Sequence, residues 1–370
     1  MLGSTSGTLF RWMSFGESHG SGMGVVIDGC PSGLEISEAV IQKDLDRRRP
    51  GTSLFVSDRQ ESDRVQILSG VYEGKTTGAP LALWVANHDM QSKAYADNLS
   101  ILRPGHASFT YWKKWGHFDP RGGGRASARE TLARVCAGAI AKKWLERVGI
   151  TTCAFIRQMG DIEAGSIPSK LSCEDIDRDP VRCPDSEASA RMQTLLFELK
   201  EQGDSIGAVI ECWVDGLPAG LGEPSLGRIE ALLACAMLSL PATKAFSMGE
   251  GFDCALKRGS EFNDGFEVNN GLVKPSSNNA SGTLGGITTG ERLAFQVAFK
   301  PTSSIRIEQK TCDLEGNEAM LSWPQGFRHD PCVAIRACPV VEAMVYLTLI
   351  DLILMRVKDH PDSIKQWAIP

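Results

Sequence analysis

The sequence lacks the cysteine spacing that would indicate a metal centre or a disulfide framework. Its 370 residues contain eleven cysteines, an odd number, and none of them form a Cys-x-x-Cys pair. Metal and disulfide frameworks use close, repeated spacing, so neither is predicted here. Free thiols in a reducing compartment are the better interpretation, and we expect no metal ligands.

Long apolar runs and an excess of positive charge are also missing. No segment approaches about 18 uninterrupted apolar residues, the length typical of a membrane-spanning helix. The first eight residues show no signal-peptide pattern. A formal net charge of −6 gives no indication of a nucleic-acid or membrane partner. We therefore expect a cytoplasmic globular protein, in which an anionic substrate would need a local basic site.

The chain shows no internal repeat and no low-complexity tract, and its helix and strand patterns alternate irregularly. This irregular order is typical of the α+β class. We predict one domain over residues 1–370, with an acidic, proline-containing excursion at about 161–204. Apolar spacing predicts helices at 37–49, 127–148, 224–238 and 340–356. Alternating or β-branched segments predict strands at 24–28, 66–72, 80–85, 205–214 and 292–299.

A glycine-rich segment at residues 119–131 leads directly into the long helix predicted at 127–148. Backbone N–H groups at such a junction can bind an anion. Ser127 and Glu130 have the spacing of a capping box. Positive side chains near a helix start oppose the helix dipole, so we expect a bound anion to compensate them. These side chains are Arg125, Arg129 and Arg134.

Five further segments carry cations, hydroxyls or histidines beside turns. Histidine titrates near neutral pH, and guanidinium groups form bidentate hydrogen bonds to carboxylates and phosphates. Each segment alone could be an ordinary turn or a solvated charged face. Together they suggest a highly anionic ligand that is handled by proton transfer. The segments are residues 15–20, 44–51, 103–106, 300–304 and 328–331.

Two other classes of protein stay open at this point. Gly16-x-Ser18-x-Gly20 matches the nucleophile elbow of serine hydrolases, although that motif should follow a buried strand well inside an α/β sheet. Only fifteen residues precede Gly16. The second alternative is a non-catalytic protein that binds an anionic ligand.

Six motifs, in order along the chain, closely resemble those of the chorismate synthase family. They lie at residues 16–20, 47–52, 103–107, 121–131, 300–304 and 328–331, and the resemblance runs from about residue 9 to about 354. It implies an α+β sandwich in a single domain, with central helices between two antiparallel sheets, assembled as a homotetramer. It also implies a lyase that uses reduced FMN to eliminate phosphate from 5-enolpyruvylshikimate-3-phosphate.

The resemblance further implies roles for individual residues. His19 and His106 would protonate the reduced flavin and the leaving phosphate, with the division between them open. Asp330 would relay the substrate proton near the flavin. Residues that would clamp the substrate are Arg48, Arg129, Arg134 and Arg328. Residues that would contact FMN are Arg125, Ala126, Ser127, Pro241, Ala242, Gly285, Lys300, Pro301, Thr302, Ser303, Ser304 and Arg328.

The resemblance implies that a partner protein, rather than this chain, reduces the flavin. NADPH would serve only as an indirect source of electrons, because no added segment looks like a reductase module. The resemblance therefore implies an external flavin reductase as a partner. Leu54 replaces an arginine that many relatives carry, so a direct nucleotide contact at that position is not expected.

Overall fold

The computed structural model describes residues 3–51, 53–56, 61–88, 95, 98–324, 327 and 329–356. Within them, two larger antiparallel sheets enclose a layer of helices. The strands of the first sheet are β1 (Thr5–Ser6), β2 (Arg11–Gly16), β3 (Gly22–Asp28), β4 (Val65–Ser69) and β7 (Leu81–Ala86). They are arranged in the order β1-β2-β3-β7-β4.

The second sheet is built from the middle and later parts of the chain. Its strands are β8 (Thr151–Met159), β9 (Ile162–Glu163), β10 (Ala208–Asp215), β11 (Thr243–Met248) and β16 (Leu293–Phe299). Their order is β11-β16-β10-β8-β9. Every second residue of β10 and β16 is buried, as expected for strands with one face on a core.

Short hairpins extend from this framework. Their strands are β5 (Val71–Tyr72), β6 (Lys75–Thr76), β12 (Phe266–Asn269), β13 (Leu272–Pro275), β14 (Thr283–Leu284), β15 (Ile287–Thr288), β17 (Gln309–Cys312) and β18 (Glu318–Leu321). They pair antiparallel as β5–β6, β12–β13, β14–β15 and β17–β18.

Two long helices form the centre of the layer between the sheets. The helices are α1 (Glu38–Arg48), α2 (Ser108–Trp115), α3 (Thr131–Leu145), α4 (Cys173–Arg178), α5 (Ser186–Gln202), α6 (Ile229–Leu238), α7 (Gly259–Phe262) and α8 (Ala334–Arg356). Helix α3 packs on β2 and β3, α8 packs on β8 and β10, and the two helices pack on each other. The predicted α+β sandwich with central helices is confirmed.

Helix α8 begins at Ala334, six residues before the predicted start at residue 340, and it contains Pro339. Proline has no N–H and leaves the carbonyl four residues earlier without its helical donor. Here that carbonyl, on Ile335, accepts a hydrogen bond of 2.7 Å from Arg182 Nη1. A distant side chain therefore allows the helix to run through a residue that sequence reasoning treats as a boundary.

The predicted start of α6 at residue 224 was wrong, because the helix begins at Ile229. Residues 223–227 form a turn in which Glu223 N donates to Gly227 O at 3.0 Å. The other predicted helices and strands are present with shifted ends. In the two larger sheets, strands β1, β2, β8, β9 and β11 were not predicted, and neither were helices α2, α4, α5 and α7.

Among the described helices, only α8 is long and apolar enough to cross a membrane, and 83% of its most apolar window is buried inside the protein. A buried helix in the core of a protein can have the same length and apolar composition, so these two properties alone are weak evidence for a membrane span. All eleven cysteines lie in the described part and are free thiols, most of them buried.

Candidate active site

A cavity of about 550 Å³ opens where loops from both halves of the sandwich meet the start of α3. Its walls come from the loop before α2, the glycine-rich segment, the α6–β11 turn, the loop after β16 and the residues that precede α8. The cavity gathers many of the predicted site residues, which were scattered over the sequence. Those that line it are His106, Arg125, Ala126, Ser127, Arg134, Pro241, Ala242, Lys300, Thr302, Ser303, Ser304 and Asp330.

His106 faces this cavity as a half-buried, neutral imidazole. Its Nδ1 accepts a hydrogen bond from Ser108 N at 3.1 Å, so the proton of the neutral ring is on Nε2. Burial, together with the positive charges of Arg103 and Lys300, lowers the pKa of His106 to about 3. An anion in the cavity would act in the opposite direction and raise this pKa, because it stabilises the protonated ring.

Arg134 projects from the first turn of α3 and is fixed from two sides. Its Nε donates to Glu130 Oε2 at 2.8 Å, and its Nη1 donates to Ser239 Oγ at 2.6 Å. The side chain is only 12% exposed. The cation is thus held in one orientation at the cavity wall.

Arg125 also lines the cavity, but its guanidinium is bound to the first sheet. Nη1 donates to Gly16 O at 3.1 Å, and Nη2 donates to Ser14 Oγ at 2.6 Å. Glu130 Oε1 lies 3.4 Å from the same Nη2. The side chain joins the glycine-rich segment to β2.

The predicted capping box at Ser127 and Glu130 is only half present. Ser127 Oγ accepts from Arg129 N at 3.2 Å, at the start of a 3₁₀ turn that precedes α3. The Glu130 carboxylate does not return to the cap, because it is bound to Arg134 and to Ser14 Oγ at 2.7 Å. Carboxylates therefore offset part of the positive charge of these arginines, since Glu130 is shared by Arg125 and Arg134. The expectation of a bound anion stays a prediction.

Arg48 and Arg129 lie behind the cavity wall, on either side of Asp63. Arg48 Nη1 is 2.9 Å from Asp63 Oδ2, and Arg129 Nη1 is 2.8 Å from Asp63 Oδ1. Burial alone would raise the pKa of Asp63, but the two guanidinium groups lower it below its ordinary value. Arg48 borders a recess of about 20 Å³ that shares Ala128 and Leu240 with the main cavity, whereas Arg129 borders neither space.

His19 lies in the turn between β2 and β3, just outside the cavity lining. Its ring packs edge-on against Tyr95, which does line the cavity, with 5.3 Å between ring centroids. A side chain on Gly122 would come within 2.5 Å of His19 Nε2. The glycine leaves the space that this imidazole occupies.

Ser18 does not have the geometry of a hydrolase nucleophile. Its residue is 2% exposed, and its Oγ has no hydrogen-bond partner among the described residues. The nucleophile elbow is a sharp turn from a strand into a helix, whereas this turn joins the antiparallel strands β2 and β3. The hydrolase alternative is therefore not supported.

The loop after β16 forms another wall of the cavity. Lys300 N donates to Ala242 O at 2.9 Å, and Ala242 has a left-handed backbone with φ +70°. Such strain in a non-glycine residue often accompanies a functional site. Burial, and then the charge of Lys244, lowers the pKa of Lys300. Three hydroxyl-bearing residues follow this lysine in one loop.

Two hydrogen bonds hold Asp330 in place. Its Oδ2 accepts from Arg336 Nη1 at 2.8 Å, and its backbone O accepts from Thr302 Oγ1 at 2.8 Å. Both contacts fix the carboxylate at the cavity edge, beside His329.

Of the predicted FMN contacts that lie within the described residues, two do not line the cavity. Gly285 lies in the turn of the β14–β15 hairpin with φ +61°, and Pro301 is outside the lining. Arg328 lies outside the described residues. Leu54 is 73% exposed and contributes only its carbonyl, which accepts from Lys200 Nζ at 3.2 Å.

Some cavity residues were not assigned a role from sequence. Arg103 stood in a recognised motif, and burial lowers its pKa to about 10. Glu130 was predicted only as part of the capping box at the start of the long helix. Ser239 had no sequence signal, because it reaches Arg134 only through the packing of α6 against α8 and its approach to α3. Within the described residues, no group of three His, Cys, Asp or Glu side chains could hold a metal ion.

Comparison with known proteins gives one consistent result. The family model described as "Chorismate synthase" matches residues 10–354. The chain is 50% identical to the chorismate synthase of Opitutus terrae, covering 93% of this chain and 95% of that one. It is 47% identical to that of Parabacteroides distasonis, covering 95% and 98%.

A solved structure agrees with these relatives. A crystal structure of chorismate synthase superimposes with a TM-score of 0.76 at 31% sequence identity, covering 98% of this chain and 96% of that one. The match extends over both sheets and the helices between them.

Proposed function

The chain belongs to the chorismate synthase family, and on that basis we propose how its cavity performs the family's reaction. The enzyme is a carbon–oxygen lyase of the shikimate pathway that removes phosphate from 5-enolpyruvylshikimate-3-phosphate. Its substrate is a polyanion, which agrees with a cavity lined by arginine, lysine and neutral histidine. This cavity is the observation that carries the proposal.

We propose that reduced FMN is the cofactor and that it binds in the same cavity. The volume of about 550 Å³ lies in the range typical of pockets for cofactor-sized ligands. Lys300 and the hydroxyls of residues 302–304 suit a phosphate group, while Pro241 and Ala242 offer an apolar wall. Reduced flavin, when bound, supplies an electron transiently to a reaction that has no net redox change.

The proposed substrate clamp combines cations at different depths. Arg103, Arg134 and Lys300 line the cavity directly. Because Arg134 is already held by Glu130 and Ser239, little reorganisation is needed when an anion arrives. Arg48 would reach a ligand through the adjoining recess. Arg129, Arg328 and Gly285 stay predicted contacts.

His106 is the proposed proton donor to the leaving phosphate. In the free protein its Nε2–H can donate a hydrogen bond into the cavity, and a phosphate dianion would raise its pKa toward the working range. His19 is the proposed second proton carrier. Its ring would reach the cavity beside Gly122, whose missing side chain leaves room for it. Asp330, oriented by Arg336, is proposed to hold the proton that leaves the substrate ring.

The deciding experiment is anaerobic turnover of 5-enolpyruvylshikimate-3-phosphate with chemically reduced FMN, following phosphate release and chorismate absorbance. We expect activity with reduced FMN and none with oxidised FMN. His106→Ala should lower turnover strongly while FMN still binds. Folded protein that binds FMN without turnover would instead support a non-catalytic flavin-binding protein.

The remaining proposals concern the setting of the enzyme. We propose a cytoplasmic homotetramer that depends on an external flavin reductase, with NADPH as an indirect electron source. Sedimentation velocity tests the assembly. Incubating the purified enzyme with NADPH and oxidised FMN under anaerobic conditions tests the reductase, since no reduction is expected without the partner.

A further inference from the structure

Helix α5 ends in a turn, residues 203–206, that lies against two cavity loops. Gly203 closes the helix with a left-handed backbone, φ +76°, and its N–H and that of Asp204 both bond to Leu199 O. A side chain on Gly203 would come within 2.8 Å of Arg306 Cβ. The glycine therefore both ends α5 and allows the loop after β16 to approach closely.

The turn bonds first to the loop after β16. Ser205 Oγ donates to Thr302 O at 2.8 Å, and Arg306 N donates to Gly203 O at 2.8 Å. Ser205 is 9% exposed, so its hydroxyl has little competition from water. These bonds lie on both sides of Ser303 and Ser304, which line the cavity.

The same turn also bonds to the loop before α8. Ile206 N donates to Pro331 O at 2.8 Å, and His329 Nε2 lies 3.2 Å from Asp204 O. The two loops are joined to each other because Thr302 Oγ1 donates to Asp330 O at 2.8 Å. One turn thus connects the hydroxyl-rich wall with the segment that carries Asp330.

We propose that residues 203–206 form a positioning clamp for the two cavity loops, with Ser205 as its central positioning residue. The inference rests on the proposed function, since it assigns the loops to cofactor and substrate. Loops have no regular hydrogen-bond ladder, so groups on them keep their geometry only when neighbouring residues fix them. The acidic segment at 161–204 then has a role, because its last helix delivers the clamp.

The test compares Ser205→Ala with Ser205→Thr, which restores the hydroxyl, and with Thr194→Ala. Thr194 is an exposed residue of α5 whose hydroxyl bonds only locally, to Ala190 O at 3.1 Å. Amide hydrogen exchange is measured on the ligand-free proteins. In Ser205→Ala we expect exchange about fivefold faster in residues 300–306 and 329–333, the effect of one lost hydrogen bond.

Binding of oxidised FMN, followed by quenching of flavin fluorescence, gives the second measurement. Ser205→Ala should raise the Kd for FMN about fivefold and lower turnover, with the thermal midpoint nearly unchanged. Ser205→Thr should recover both values, and Thr194→Ala should match the wild type.

Unchanged exchange in Ser205→Ala would overturn the clamp, as would equal effects in Thr194→Ala. Faster exchange with unchanged FMN affinity and turnover would also overturn it, because the loops would then not need positioning. If the wild type neither binds FMN nor turns over, the proposed function fails, and the exchange data still decide whether Ser205 holds the loops.

Discussion

At the scale of single residues, the position of His19 depends on the missing side chain of Gly122. A Cβ there would stand 2.4 Å from His19 Cδ2 and 3.1 Å from Ser18 Oγ. Gly122 also has φ +57°, which favours glycine for conformational reasons. The steric effect on His19 and the backbone strain at positive φ can be separated, because other left-handed glycines of the chain have open space around them.

Gly122→Ala should therefore reduce turnover by displacing the His19 ring. A displacement of about 1 Å in a catalytic group can lower the rate by about 100-fold. The matched control is Gly116→Ala, which has a similar φ of +70° but no atom within 4 Å of the added Cβ. Measured kcat values should fall in the first variant alone. Equal losses in both would assign the effect to backbone strain.

His106 makes the stability of the protein depend on pH. Its pKa of about 3 lies below the ordinary value of 6.5. As pH falls below 6.5, the unfolded chain binds a proton at this residue and the folded protein does not, so stability decreases. We expect His106→Asn to lose less unfolding free energy than the wild type between pH 6.5 and 4, by up to about 1.4 kcal/mol per pH unit.

Urea unfolding at several pH values measures this difference, with the exposed His117→Asn as the control for removing a histidine. Parallel curves for wild type and His106→Asn would show that His106 titrates normally in the folded protein. An NMR titration with bound phosphate should show the opposite shift, toward a higher pKa for His106.

At the scale of elements, the sandwich depends on the close contact between α3 and α8. A Cβ on Gly138 of α3 would stand 2.5 Å from Ala343 Cβ and 2.7 Å from Ala343 Cα. Both residues are buried, and small side chains allow the helix axes to approach. This contact sets the spacing of the layer between the sheets, and with it the position of the first turn of α3 at the cavity.

Gly138→Ala should destabilise the protein even though alanine favours helices. Overpacking costs about 1–3 kcal/mol, and the gain in helix propensity offsets about 1 kcal/mol of that. Gly259→Ala in α7 is the control, because no atom lies within 4 Å of its added Cβ. Urea unfolding should show a loss for the first variant and no loss for the second. A stable Gly138→Ala variant would mean that the helices can separate without cost.

At the scale of the whole molecule, neither sheet has a core without the other. Helix α3 covers the first sheet, and α8 covers the second. Most of the buried apolar side chains form one continuous cluster through both, and Cys153, Phe155 and Ile176 form a small separate one. The cavity lies where the two halves meet, so its geometry requires the complete sandwich. The chain as a whole is acidic, and the positive charge that suits a polyanion is concentrated locally.

This shared core supports the proposal that the chain is a single domain. We expect one cooperative transition in scanning calorimetry, with the calorimetric enthalpy matching the van't Hoff enthalpy for one folding unit. Two separated transitions would show that each sheet folds with its own helices.

The sequence by itself determined the α+β class, the long helix after the glycine-rich segment and the set of segments that surround the cavity. These features depend on local pattern, such as apolar spacing and the order of short motifs, which neighbouring residues carry. The motifs at residues 103–106, 125–127 and 300–304 are recognisable from the sequence, and all their residues except Pro104 and Pro301 line the cavity.

Only the tertiary structure decided which charges are free to meet a ligand. Arg129 is paired with Asp63, and Arg134 with Glu130 and Ser239, so a motif rich in arginine presents fewer unbalanced cations than its composition suggests. The helix through Pro339 likewise depends on Arg182. Most of these partners are 66 to 153 residues apart in the chain. Coulomb and hydrogen-bond energies depend on distance in space, which spacing along the sequence does not contain.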